Sequence, residues 1–101
     1  MSATTYTIVN GLSVIEKGAS ESLDYGIDYA DLLADGETIE ASAWTVGAGL
    51  TEGIAGASGS IVTQWLSGGT AGQIYDVDNV IETSSGRTYA RSFRVRVVGR
   101  R

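Results

Sequence analysis

The chain has 101 residues, a formal net charge of −5, and no cysteine, histidine or proline. A single domain of this length buries roughly two-thirds of its unfolded surface, enough for one core. The missing cysteine and histidine exclude a disulfide framework, a thiolate metal site, and the commonest general base and metal ligand.

The first five residues, Met1 to Thr5, lack the basic and apolar regions of a signal peptide, and no apolar run reaches membrane-spanning length. Synthesis and retention in the cytoplasm is therefore expected. Tyr6-Thr7-Ile8-Val9 is β-branched and aromatic and ends at Asn10-Gly11, a strong turn pair, so a short first strand is predicted, with Leu12 to Ile15 continuing it. Glu16 to Glu21 reads as a polar loop. Ser22 to Tyr29 alternates, with Leu23, Tyr25, Ile27 and Tyr29 on one parity and Asp24 and Asp28 on the other, the pattern of a half-buried strand. Ala30 to Gly36 breaks that period and predicts a single helical turn closed by Gly36, too short to stand as a helix without packing. Leu32 and Leu33 are expected to plug one end of the core.

Thr38 to Val46 resumes a strand carrying Trp44, Gly47-Ala48-Gly49 turns the chain, and Leu50 to Ile54 is a weaker strand. Ala55 to Gly59 is read as a glycine-rich loop. Ser60 to Leu66 is a further strand, with either Ile61 and Trp65 or Val62 and Leu66 inward. Ser67 to Gly72 leads into the clearest element of the chain. From Gln73 to Val98, Tyr75, Val77 and Ile81 oppose Asp76, Asp78 and Glu82 in parity, and Phe93, Val95 and Val97 oppose Ser92, Arg94 and Arg96. Pairing Val77 with Phe93 on the buried face demands a loop with an odd number of residues. Ser84-Ser85-Gly86 meets that demand as a three-residue turn with Gly86 left-handed. Tyr75 then faces Val95 and Asp76 faces Arg94.

About seven short strands separated by glycine and serine turns predict an all-β, immunoglobulin-like antiparallel β-sandwich. Residues 1–22 are expected to form an N-terminal strand or arm of the same domain, and 23–101 the sandwich itself. Tyr75, at the start of the penultimate strand, suits a tyrosine corner, and Trp44 suits a core tryptophan. Trp44, Tyr75 and Phe93 are all expected to be largely buried.

The charge is divided unevenly. Residues 1–82 hold all twelve acids and only Lys17, whereas residues 83–101 hold six arginines and no acid. A basic tail can mark nucleic-acid binding. Here Arg91, Arg94 and Arg96 fall inside a strand opposite acids, so arginines paired across a sheet is the simpler reading, and no nucleic acid is expected as a partner. The sharper alternative is a basic edge meeting an acidic neighbour.

Catalysis has little to use. The nearest carboxylate pairs, Asp24 with Asp28 and Asp76 with Asp78, lie on what alternation reads as solvent faces. Asp28, Asp31, Asp35 and Glu37 crowd one turn and could attract calcium. With Asp31 first, however, Leu33 and Ser42 occupy the third and twelfth positions of an EF-hand loop, which fails. Gly68-Gly69-Thr70-Ala71-Gly72 lacks the lysine and following helix of a phosphate loop. No cofactor, metal or catalytic residue is expected, and the aromatics are read as core.

Three runs, Leu23 to Tyr29, Trp44 to Leu50 and Trp65 to Gly72, resemble the phage fibre–tail adaptor family. Tyr75 to Asn79, Ser85 to Thr88 and Arg91 to Val95 fit the same pattern. The resemblance covers residues 23–97, and Trp-Leu-Ser-Gly-Gly-Thr-Ala-Gly is its most specific part. A proline near Gly47 and a tryptophan at Tyr29 would have matched it better. The resemblance implies a non-enzymatic virion protein, made in the host cytoplasm, whose partners are tail proteins, tail fibres and further copies of itself in a ring, with no membrane. A capsid decoration or head–tail connector protein is the alternative, and a carbohydrate-binding module a third reading. Candidate interface residues are Arg94, Arg96, Arg100 and Arg101 on the basic edge, and Gly56 and Gly69 in glycine-rich loops open to the fibre.

Overall fold

The computed structural model describes residues 14–99 and the backbone of residues 7–9. Eight strands appear, with no helix among the described residues. They are β1 (Thr7–Val9), β2 (Val14–Gly18), β3 (Leu23–Asp28), β4 (Ile39–Val46), β5 (Leu50–Ser58), β6 (Ile61–Gly68), β7 (Ile74–Thr83) and β8 (Thr88–Val98). Two four-stranded sheets result, ordered β1-β3-β6-β5 (sheet A) and β2-β8-β7-β4 (sheet B). Pairing is antiparallel except that β1 runs parallel to β3 and β2 parallel to β8. The all-β sandwich expected from the alternation is present, with mixed rather than purely antiparallel sheets.

Alternation places one parity of each central strand between the sheets. Tyr25, Ile27, Val62 and Leu66 from sheet A meet Val77, Ile81, Phe93, Val95 and Val97 from sheet B, all fully buried. Phe93 stacks on Tyr25 at 5.5 Å between ring centres, across the two sheets. Tyr29, just beyond β3, is also buried. Its hydroxyl donates to Asn79 Oδ1 at 2.9 Å, and the Asn79 amide donates to Ser42 Oγ at 2.8 Å and the Ala43 carbonyl at 3.2 Å. This polar chain joins both sheets to the edge strand β4. Burial pushes the Tyr29 pKa up to about 12, against the pull of the nearby Arg91 guanidinium.

The β7–β8 hairpin follows the parity argument residue by residue: Val77 pairs with Phe93, Tyr75 with Val95 and Asp76 with Arg94. Its loop is Ser84–Gly86, bounded by Thr83 N–H to Arg87 O (2.8 Å) and Gly86 N–H to Thr83 O (3.0 Å), with Gly86 at φ 83°. Side chains reinforce the turn. Thr83 Oγ1 accepts from the Ser85 and Arg87 amides and donates to Glu37, whose side chain is 1% exposed. Glu37 also accepts from the Ala34 amide and lies 3.5 Å from Arg87. These donors, the Ala34 amide foremost, hold its carboxyl below the ordinary glutamate range. The unfolded chain therefore binds the extra proton more readily as pH falls. Glu37 stabilises the fold above the ordinary glutamate pKa and loses that effect as pH drops through its lowered value. Urea midpoints measured from pH 6 to pH 3 are expected to fall less steeply in Glu37→Gln than in the parent; parallel curves would refute this.

The segment between β3 and β4 forms one turn, Leu33 N–H to Tyr29 O at 3.2 Å, then a second closed by Gly36 at φ 78°. Leu32 and Leu33 pack against the core as expected.

Four expectations are corrected. Glu16 to Gly18 is strand rather than loop, because β8 offers β2 a parallel ladder that the polar sequence does not advertise. Ala55 to Ser58 is strand too, since pairing with β6 continues to Ile61. Trp44 and Tyr75 are half-buried, Trp44 because β4 is an edge strand. Asp24 is 4% exposed despite its outward parity. It lies on a central strand between β1 and β6, with Trp65 as its cross-strand neighbour. Parity assigns a face but does not say how well that face is covered. The predicted Asn10-Gly11 turn and Leu12 lie outside the described residues, as do Arg100 and Arg101.

Candidate functional site

The specific Trp65–Gly72 motif builds one end of the sandwich. Tyr75, at the start of β7, accepts a hydrogen bond on its hydroxyl from the Thr70 amide at 2.8 Å, which makes the expected tyrosine corner. Two glycines let the loops close on its ring. A Cβ at Gly49 would lie 2.8 Å from Tyr75 Cε1, and one at Gly69 would lie 2.6 Å from Val97 Cγ2. Lys17 completes the knot from β2. It is fully buried, and its Nζ donates to the carbonyls of Gly68 at 2.6 Å and Gly18 at 2.8 Å. Burial lowers its pKa, opposed by the charge of Glu21. A solitary lysine in an acidic stretch carried no sign in the sequence that it would turn inward.

This geometry decides how the two candidate glycines are presented. Gly69 is a packing glycine, wedged between Val97, Leu50 and Tyr75. Gly56 lies on β5 with open space where a Cβ would stand.

The candidate arginines lie on the outer face of sheet B. Arg94 and Arg96 are both exposed on β8, between β2 and β7. Arg94 lies between Val14 and Asp76 in register and pairs with Asp76 at 3.0 Å. Arg96 lies between Glu16 and Ile74. The same face carries exposed Val14 (58%) and Ile74 (56%), so it is an apolar and charged mosaic rather than a basic patch. The other two arginines of the described residues serve the fold. Arg87 faces Glu37, while Arg91 bonds the Asp28 carbonyl and the Asp31 carboxylate, each at 2.7 Å, beside the Tyr29 ring.

Three of the four crowded acids are occupied separately. Asp28 Oδ1 accepts from Ser60 Oγ and the Ala30 amide, Asp31 pairs with Arg91, and Glu37 ties down the hairpin loop. Among the described residues no three acids are gathered as a metal site, and no helix is long and apolar enough to cross a membrane.

A further surface feature is the side of the sandwich where edge strands β4 and β5 face each other. Both are exposed along most of their length. Between them opens a cleft of about 230 Å³ lined by Ser42, Trp44, Ala55, Gly56 and Ala57. A second hollow of about 150 Å³ lies against Ala41, Ala43, Val80 and Glu82. Small residues at Ala55, Gly56 and Ala57 gave this part of β5 a loop-like look.

The fold is similar to the crystal structure of the cysteine protease inhibitor EhICP2 from Entamoeba histolytica. The TM-score is 0.55 at 8% identity, covering 91% of this chain and 96% of that one. At such identity the likeness is one of fold alone. No curated protein matches the chain. The family model for the podophage GP4 fiber-tail adaptor protein gp77 matches residues 17–96, from the buried Lys17 to Arg96 on β8 and so through the whole glycine-tyrosine knot, and the chain belongs to that family of phage tail structural proteins.

Proposed function

We propose that the chain is a non-enzymatic, immunoglobulin-like joint of the phage tail that attaches tail fibres to the tail body. The observation that carries this is the family match across four-fifths of the chain. In the proposed arrangement several copies ring the tail. The outer face of sheet B, with Arg94 and Arg96, grips a neighbouring copy or the tail body, helped by the Arg100-Arg101 end, while the β5 side near Gly56 is turned toward the fibre. An apolar and charged mosaic suits contact with protein, and paired arginines give no reason to invoke nucleic acid. Each stable contact should bury more than about 1,000 Å² in total, and its charged part should weaken with salt.

The test is made on particles. Arg94 and Arg96 are reversed to glutamate, residues 99–101 are deleted, and virions are purified. Loss of the protein together with the fibres supports the attachment role. Particles keeping both in full number refute attachment through this face. The protein's presence on capsids and absence from tails would refute the adaptor role itself.

A further inference from the structure

We propose that edge strand β4 accepts an added β-strand from another tail or fibre chain, and that the added strand alternates apolar and basic residues. The origin of that strand rests on the adaptor reading; its chemistry rests on the edge itself. β4 is the last strand of sheet B, so among the described residues the backbone groups along its outer side have no neighbouring strand. From Ala41 to Val46 its pairing with β7 is regular, with its one irregularity confined to Ile39–Ala41. By contrast, β5 is bulged between Glu52 and Ala55, and a bulge bends an edge away from new partners.

The two faces of β4 are hollow in different ways. Inward lies the 230 Å³ cleft, walled by Trp44 and by Ala55 and Ala57 of β5, which suits an aliphatic side chain. The Trp44 indole N–H is buried there without an acceptor among the described residues, although a buried donor normally has one. Outward lies the 150 Å³ hollow, with Val80 40% exposed beside Glu82. That pair suits the aliphatic stem and charged head of a lysine or arginine. No basic residue occurs anywhere on β4, β5, β6 or β7 to compete for the acid. Side chains of a β-strand alternate between faces, so one added strand would place an apolar residue inward and a basic one outward in turn.

The test uses the full chain and a capped hexapeptide of alternating valine and lysine. Its glutamate counterpart and a version N-methylated at alternate amides serve as controls. Amide spectra of the protein are followed during titration. The valine–lysine peptide is expected to bind and to shift the Ala41–Val46 amides and the Trp44 indole N–H. Binding should weaken with salt, and both controls should fail to bind. Glu82→Lys is expected to weaken binding without disturbing the dispersion of the spectrum. No binding, shifts confined to the Arg94 and Arg96 region between β2 and β8, or equal binding of the glutamate peptide would each overturn the proposal. Because incorporation into particles is measured separately, loss of the edge proposal would leave the adaptor reading standing, and the reverse.

Discussion

Phe93→Ala is expected to lower stability by about 3–5 kcal/mol, read as a shift of the urea midpoint at unchanged slope. Phe93 is fully buried at the middle of β8 and touches both sheets. It stacks on Tyr25 at 5.5 Å with an interplanar angle of 29° and meets Trp44 edge-on at 6.4 Å and 78°. Truncation removes the ring's burial and leaves a void bordered by two large aromatics that the opposing ladders hold apart. The sheets cannot close on that void without breaking their own registers. Small domains are stable by only about 5–15 kcal/mol, so such a loss would unfold a substantial fraction of a marginal one. A midpoint within error of the parent would mean that the ring is not central to the core.

Gly69→Ala is expected to cost about 2–4 kcal/mol, and Gly72→Ala distinctly less. Both glycines have positive φ, 96° and 92°, so both variants carry the roughly 1–2 kcal/mol penalty of a left-handed L-residue. Only at Gly69 does the new methyl meet packed atoms: Val97 Cγ2 at 2.6 Å and Leu50 Cδ2 at 3.1 Å, while nothing lies within 4 Å at Gly72. The difference between the variants therefore isolates overpacking, about 1–3 kcal/mol. It also tests whether Gly69, the second glycine of the Trp65–Gly72 run, serves packing rather than contact with a fibre. Equal costs at the two positions would show that the loop relaxes freely and would return Gly69 to the accessible surface.

Alternation by itself determined the β7–β8 hairpin, including its register and the left-handed Gly86. Both strands have one well-covered face, and a slip of one residue would expose Val77 and Phe93 together. The same logic determined the inward faces of Tyr25 and Ile27, while the place of Tyr75 at the start of β7 pointed to its hydrogen bond with the Thr70 amide. What only the tertiary structure decided was which strands stand at an edge and which polar groups turn inward. Trp44 reads like a core tryptophan, but among the described residues β4 has a neighbouring strand on one side only, so the ring is half-buried. Lys17 reads like a solvated charge. Its burial depends on two glycine carbonyls, one of them Gly68, fifty-one residues away in sequence. Gly56 and its small neighbours read like a loop until β6 supplies their ladder. Periodicity is a local property of the chain, whereas coverage of a face and freedom of an edge depend on strands distant in sequence.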